Sequence, residues 1–333
     1  MSSGATLGRT LTLRVARIEA ATPEVHVIDL VHPRGLPLPG YTAGAHIDVH
    51  TPGGFVRTYS LAEAPPAGGA PRRYRIGVKR EGASRGGSAA LHEQLHEGDL
   101  LAIGSPRNSF PLHDGPAPAL LLAGGIGLTP LLAMAGQLAR EGRAFTLAVF
   151  ARSRAHLAFG EALARLGEAL RLHFDDAAAP EKLDLAAVIG EAAAGRGTQL
   201  YLCGPAGFMQ AALAHARAVG WPEDAIHLEY FAPPESPAAD AGDEPFVLHL
   251  ARSDARVPVA ADQTAVQALH EVGIDIPVSC EQGVCGTCVV SWRAVPGGGA
   301  PEHRDFCLSA SERGHKLALC CSRARGGVLT LEL

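Results

Sequence analysis

Three of the chain's seven cysteines, Cys280, Cys285 and Cys288, fall in one short run, Cys-Glu-Gln-Gly-Val-Cys-Gly-Thr-Cys, and an adjacent pair, Cys320 and Cys321, follows downstream. A C-x4-C-x2-C…C spacing is that of a plant-type [2Fe–2S] cluster held by four thiolates. Three ligands on one loop can surround two irons only where the backbone bends sharply, and Gly283 and Gly286 permit that bend. Zinc more often uses two separated C-x2-C pairs, so zinc or a reactive-thiol cluster stands as the alternative. Cys320 and Cys321 compete for the fourth position, because neighbouring side chains in an extended segment point opposite ways. Iron–sulfur ligation makes the protein a one-electron carrier and raises the question of its electron source.

Further residues have types suited to nucleotides. Arg57-Thr58-Tyr59-Ser60 ends an expected strand and offers a donor fork for phosphate, a flat aromatic face and a hydroxyl. Read blandly, it is a surface Arg beside a half-buried strand Tyr. Gly77-Val78-Lys79 ends another strand, and Gly86-Gly87-Ser88 opens an expected helix, where backbone N–H groups and a hydroxyl can converge on an anion. A plain turn with an N-cap serine explains Ser88 equally well. Gly124-Gly125-Ile126-Gly127-Leu128-Thr129-Pro130 follows an apolar run and precedes a helical pattern, as a dinucleotide turn requires. It departs from a full G-x-G-x-x-G at its last position, which leaves an unliganded strand-to-helix turn open. After the second apolar run the chain reads Phe150-Ala151-Arg152-Ser153-Arg154, where a dinucleotide fold often has an acid for the ribose 2′-hydroxyl. These cations suit a 2′-phosphate, the pyrophosphate or solvent.

The elements that must position these groups fall into three zones. Residues 1–114 read as β-rich, with period-two alternation in Thr10-Leu-Thr-Leu-Arg-Val-Ala-Arg-Ile18, His46–His50, residues 75–79 and residues 100–103, which predicts an antiparallel barrel. Residues 115–231 alternate apolar runs (119–123, 145–150, 199–203) with helical stretches, the first at 131–140, which predicts a doubly wound α/β nucleotide-binding domain. Residues 232–244, rich in Pro, Ala, Asp and Glu, read as a linker. Residues 245–333 open with two alternating strands, 246–251 and 255–260, then a helix at 264–272 before the cysteine loop, an α+β arrangement. At 333 residues with 47% hydrophobic content the chain is long enough for several cores. A net charge of −5 argues against nucleic acid and anionic membrane partners, and no apolar stretch is long enough to span a bilayer. With no apolar leader at the N-terminus and an odd cysteine count, the expectation is a soluble cytoplasmic protein.

The ordered set Arg57-Thr-Tyr59-Ser60, Gly77-Val-Lys79, Gly86-Gly-Ser88, Pro106-Arg-Asn-Ser-Phe-Pro, Gly124–Pro130, Cys203-Gly-Pro and Cys280…Cys320 resembles the phthalate dioxygenase reductase family, flavin and iron–sulfur reductases that serve Rieske oxygenases. The likeness runs over nearly the whole chain in the family's domain order. It implies an FMN barrel, an NAD-binding domain and a β-grasp ferredoxin domain. Arg57 would hold the FMN phosphate with Gly87 and Ser88, Tyr59 would pack on the isoalloxazine, and Ser60 would hydrogen-bond near N5. Thr58 belongs to the same strand motif. Gly77, Val78 and Lys79 would line the ring's polar edge near Thr129, and Phe231 would cover part of the ring. Gly124, Gly125, Gly127 and Gly204 would face the dinucleotide, with Arg152 beside it, and Cys203 would lie beside the nicotinamide C4. The family's Ser-Arg-Ala pattern aligns Cys320 with the fourth ligand and leaves Cys307 and Cys321 structural, while the stretch between Cys288 and Cys320 is longer than the family's.

These parts form one electron chain. NADH gives two electrons at once and a [2Fe–2S] centre takes one, so a flavin must stand between them. The expected function is the reductase component of a Rieske-type aromatic oxygenase or O-demethylase, a monomer drawing on NADH in preference to NADPH. A reductase feeding a cytochrome P450 is the alternative, and a non-enzymatic redox sensor a more distant one.

Overall fold

The computed structural model describes residues 10–82, 86–178, 182–193, 197–232 and 243–333. The chain divides into two compact units, Met1–Phe231 and Ala232–Leu333. Most of the expected linker, residues 233–242, lies outside the described residues.

The first unit begins with β1 (Thr10–Thr22), β2 (Val25–Val31), β3 (His46–His50), β4 (Val56–Ser60), β5 (Arg73–Lys79) and, after helix α1 (Gly87–Glu93), β6 (Leu100–Gly104). They form an antiparallel sheet in the order β4-β3-β6-β1-β2-β5. Its two edges meet through a Leu61–Ile76 bridge and the Ala62 N–H donating to the Arg75 carbonyl at 2.8 Å, which curls the sheet into a barrel. Alternate residues point inward, so Val15, Ile28, Leu30, Ile47, Val49, Ile76 and Ile103 are fully buried. The alternation at 10–18 understates β1, which runs on to Thr22. Register shifts at Val15/Arg17 and Ala20/Thr22 interrupt the period that marks a strand and increase its twist.

A parallel sheet follows: β7 (Ala119–Gly124), β8 (Phe145–Ala151), β9 (Leu170–Phe174), β10 (Gln199–Cys203) and β11 (Ile226–Glu229), in the order β11-β10-β7-β8-β9. Counted from the first strand outward this is 5-4-1-2-3, the doubly wound order whose switch point lies between β7 and β10. Residues of β7 alternate between its two faces. Leu121 and Ala123 pack with α2 (Leu128–Glu141), whereas Leu120 and Leu122 pack with α4 (Leu185–Ala193) and α5 (Ala206–Ala218). A short α3 (Gly160–Ala164) precedes β9. Burial on both faces is why this strand reads as continuous apolar sequence. Lack of such burial hides β9 and β11 from pattern reading, since both are edge strands of mixed composition.

The Pro106–Pro111 motif joins the two sheets. Arg107 exchanges backbone hydrogen bonds with His46, and Asn108 Nδ2 donates to the Ala43 carbonyl at 2.8 Å. Phe110 meets the Tyr201 ring edge-on at 5.7 Å, and His113 N–H donates to the Tyr201 hydroxyl at 2.7 Å. A Cβ on Gly44 (φ +90°) would stand 1.9 Å from the Phe110 carbonyl oxygen, so only glycine lets this connection pass.

The second unit comprises β12 (Phe246–Leu250), β13 (Ala255–Val259), α6 (Ala265–Glu271), β14 (Val289–Arg293), β15 (Ala300–Glu302), α7 (Ala310–Arg313), β16 (Lys316–Ala318), β17 (Arg323–Arg325) and β18 (Val328–Leu331). Five strands form a sheet in the order β13-β12-β18-β14-β16, with β12 and β18 parallel, and β15 pairs with β17. Thr264 caps α6 with a reciprocal Thr264–Gln267 box, which defines the helix start. Leu248, Leu250, Val257, Leu269, Leu329 and Leu331 close a core of this unit's own. The long stretch between Cys288 and Cys320 folds as β14, β15, α7 and β16. Among the described residues no helix is long and apolar enough to cross a membrane.

Candidate functional site

The crevice at the switch point is built by glycines. Helix α2 begins at Leu128, three residues earlier than its apolar period indicates, after a 3-10 turn at Gly125–Gly127. A Cβ on Gly127 would lie 2.3 Å from the Cys203 carbonyl oxygen, and one on Gly204 3.0 Å from Gly124 Cα. Gly125 (φ +54°) has open space around it, where a ligand can approach the backbone. These glycines let β7, β10 and the start of α2 close to backbone distance, and Cys203 stands at the β10 end of the same junction.

The barrel brings its own residues to this place. A Cβ on Gly77 would meet Thr129 Cγ2 at 2.9 Å, Phe159 at 3.0 Å and Ile126 at 3.2 Å, so β5 abuts the dinucleotide turn itself. Ser60, at the end of β4, is buried, and its Oγ donates to Glu229 Oε2 at 3.5 Å. Glu229 ends β11 directly opposite Cys203 in the register. Crowding by protein pushes its carboxyl up to about 8, against which the Ser60 hydroxyl acts only weakly. Burial raises the Cys203 thiol well above its ordinary range, and Glu229 adds to the effect. Ser60, Cys203 and Glu229 thus form a protonated, uncharged corner at neutral pH.

Sequence reasoning did not single out Glu229. Its signal is an acid inside the mixed segment Ile226-His227-Leu228-Glu229-Tyr230-Phe231 that precedes the linker composition. Two residues on, Phe231 is 42% exposed.

At the other end of β4, the Arg57 guanidinium lies 5.1 Å over the Phe55 ring and donates from Nη1 to the Val56 carbonyl. A Cβ on Gly87 would be 2.7 Å from Arg57 Cγ, so Arg57 crosses the start of α1. Ser88 Oγ accepts from Glu81 N–H at 3.2 Å. Arg57, Gly87 and Ser88 are therefore gathered. Thr58 turns the other way and donates to Asp48 Oδ1 at 3.0 Å. Burial raises the Tyr59 hydroxyl above its ordinary range, with Arg57 opposing, so the ring is a neutral face. Val78 is fully buried, and its carbonyl accepts from His92 Nε2 at 2.9 Å. His92 in turn stacks on His26 at 3.9 Å. Lys79 pairs with Glu81 at 3.0 Å. Arg152 does not stand as an open fork: its Nη2 pairs with Glu24 Oε2 at 2.5 Å, from the turn between β1 and β2.

In the second unit the cysteine loop turns through left-handed residues Glu281, Gly283 and Gly286. Cys280 is within hydrogen-bonding reach of Cys285 and Cys320, and Cys320 also of Cys288 and Cys321. Donors around Cys280, first the Cys285 and Cys320 thiols and then the Gln282 N–H at 3.4 Å, hold its thiol far below the usual range. Cys285 Sγ lies 3.0 Å from Thr287 Oγ1. Four crowded thiols on glycine-permitted turns suit the donor set of a [2Fe–2S] cluster. Cys320 and Cys321 occupy a turn, not the extended segment expected, because the Ser322 N–H closes onto the Ala318 carbonyl at 3.1 Å. The Cys321 sulfur lies within hydrogen-bonding reach of Cys320, reaches the Ala318 carbonyl at 3.8 Å and abuts Gly283, whose Cβ would stand 2.6 Å from it. Burial, with Asp305 adding, raises the Cys307 thiol.

Residues 248–325 match the 2Fe-2S iron-sulfur cluster binding domain family. Over its length the chain is 43% identical to a vanillate O-demethylase oxidoreductase of Pseudomonas sp. strain HR199, covering 96% of this chain and 98% of that one. It is 42% identical to a phenoxybenzoate dioxygenase subunit beta of Ectopseudomonas oleovorans, with 100% of each chain covered. Among solved structures it resembles phthalate dioxygenase reductase, described as a modular structure for electron transfer from pyridine nucleotides to [2Fe-2S], with TM-score 0.69 and 32% identity over 97% of this chain and 98% of that one. An intact type IV self-sufficient cytochrome P450 monooxygenase matches with TM-score 0.86 and 34% identity, all of this chain corresponding to 43% of that one. On this likeness across its full length, and on a doubly wound switch point set against a barrel with a thiol-lined ferredoxin unit beside them in sequence, the chain belongs to the phthalate dioxygenase reductase family of electron-transfer oxidoreductases.

Proposed function

We propose that the chain carries electrons from NADH through FMN to a [2Fe–2S] cluster and on to a Rieske-type terminal oxygenase in the cytoplasm, working as a monomer. We assign residues 1–114 to FMN, 115–231 to NADH and 245–333 to the cluster, with 232–244 as linker. When bound, the flavin accepts a hydride and releases electrons one at a time. The observation that carries the reading is the convergence of Ser60 from the barrel with Cys203 and Glu229 from the ends of β10 and β11.

In this reading Arg57 neutralises the FMN phosphate, and its stacking on Phe55 and contact with Gly87 hold the guanidinium in place. Tyr59 gives the ring a neutral aromatic face. Gly77 lets β5 and the ring's polar edge lie close to Thr129, because any side chain there would collide with the turn. Gly125, Gly127 and Gly204 expose backbone to the dinucleotide, and Cys203 contributes a small uncharged surface beside the nicotinamide. Ser60 orients a hydroxyl toward the ring, and Glu229, holding its proton, keeps net negative charge out of the corner where hydride moves. Phe231, two residues beyond Glu229 and exposed, covers part of the flavin ring. Cys280, Cys285, Cys288 and Cys320 ligate the irons, while Cys321 and Cys307 are structural.

A Rieske partner is favoured by relatives named as dioxygenase and O-demethylase components. The monooxygenase that carries a matching segment in its own chain favours a P450 partner as the second reading. Anaerobic NADH titration, with mass identification of the released flavin, tests the chain of carriers: bleaching of overlapping flavin and iron–sulfur absorption is expected, with FMN released. Release of FAD, or a colourless protein containing zinc, would reject the assignment. Turnover with purified oxygenases of each class then identifies the partner.

A further inference from the structure

The cations after β8 stand where a dinucleotide fold reads the adenosine ribose, yet both are engaged. Arg152 is paired with Glu24 at 2.5 Å, and the Arg154 guanidinium lies 5.2 Å over the Phe174 ring. Glu24 does not belong to the nucleotide-binding half: it sits in the turn between barrel strands β1 and β2, where its carbonyl accepts from Arg80 N–H at 2.7 Å. A small pocket is lined from both halves here, by Val25 and by Gly125, Ile126, Ala151 and Phe159, and Glu24 and Arg152 are each next in sequence to a lining residue. After β9, Asp175 N–H donates to the Ala151 carbonyl and Asp176 N–H to the Arg152 carbonyl, which brings two more carboxylates beside the same strand end. Around the expected ribose position there are thus two engaged arginines and three acids, and Lys79, also near Glu24, is held by Glu81.

We infer that Glu24, reaching across from the barrel, sets the preference for NADH over NADPH by occupying Arg152 and placing a carboxylate where a 2′-phosphate would have to lie. The usual acid of a dinucleotide fold follows its own second strand. Here an arginine takes that place, and the acid comes from another sheet. A 2′-phosphate carries nearly two negative charges, so it meets repulsion from Glu24, and the Arg152 guanidinium is already paired. A 2′-hydroxyl meets neither cost. The inference rests on the proposal that this crevice binds the dinucleotide.

The test compares binding of adenosine 2′,5′-bisphosphate with that of 5′-AMP to the full-length, flavin-loaded protein by calorimetry, alongside the NADPH/NADH ratio of kcat/KM. In Glu24→Gln the affinity ratio should move toward the bisphosphate by about tenfold, from relief of repulsion and release of the Arg152 fork together. In Glu24→Gln/Arg152→Gln most of that gain should disappear. A ratio that changes less than about twofold in Glu24→Gln overturns the inference while leaving the crevice intact, and so does a gain that survives loss of Arg152. If wild-type protein binds neither nucleotide, the dinucleotide reading of the crevice fails and takes the inference with it.

Discussion

Replacing Glu229 by Gln tests the uncharged corner directly. The Glu229 carboxyl, ordinarily at 4.5, is pushed up to about 8 in the folded protein. Between those values the folded state holds a proton that the unfolded chain has released, so this group makes stability fall as pH rises. Below 4.5 both states are protonated and the effect vanishes; above 8 both are ionised and the full cost is paid. The gap corresponds to about 5 kcal/mol at the alkaline limit and about 3 kcal/mol at pH 7. Both are upper figures, since Glu229 keeps some contact with solvent. Gln preserves the shape and neutrality of the protonated acid, so Glu229→Gln should lack this slope. With about 2–4 °C per kcal/mol for a unit of this size, the variant should melt roughly 6–12 °C above wild type at pH 7 and close to it at pH 4. The assay is calorimetric melting of both proteins from pH 4 to 9, read as a difference so that other titrating groups cancel. Parallel profiles would mean that Glu229 is ionised in the folded protein, and the protonated corner would be wrong.

The stacked His26 and His92 predict acid-triggered flavin loss. Burial, then His92, lowers the His26 pKa from 6.5, so the folded state resists the proton that the unfolded chain takes up, and stability falls as pH drops through and below 6.5. Flavin fluorescence should therefore rise on acidification, and His26→Asn should weaken that response. Gly127→Ala places a methyl 2.3 Å from the Cys203 carbonyl, so a loss of about 3 kcal/mol or more and failure of NADH to reduce the flavin are expected, by melting and stopped-flow absorbance. Cys320→Ser should lose the iron–sulfur absorption and one-electron acceptor turnover while NADH still reduces the flavin, whereas Cys321→Ser should keep its iron. Equal iron content in the two variants would refute the choice between them.

The thiol loop and the nucleotide turn were legible because their chemistry demands fixed local spacing: cysteines within nine residues, glycines where backbones approach. Strands β7 and β12 were legible because one period or one apolar run spans each. What was hidden depends on distant pairing. Glu229 acquires its character only where β11 ends beside Cys203 and under Ser60, and Glu24 only where the barrel turn reaches Arg152. Edge strands β9 and β11 bury too little to carry a pattern, and β1 lost its period at the shifts that curve it. The helix start at Leu128 was masked because Thr129 and Pro130 fit a turn as well as a first helical turn.

The order of strands in the second unit also bears on how the protein is made. Strand β18 is the last described element to be synthesised, yet it lies at the middle of the sheet, between β12 and β14. Until it emerges, β14 and β16, which flank the cysteine loop, have no sheet connection to β12 and β13. Iron loading must therefore await synthesis of residues 328–331, whereas the first unit can fold and accept its flavin before they emerge. A nascent chain arrested before Val328 should already hold flavin and carry no iron, and cells short of iron should accumulate a yellow, half-mature reductase in place of an unfolded one.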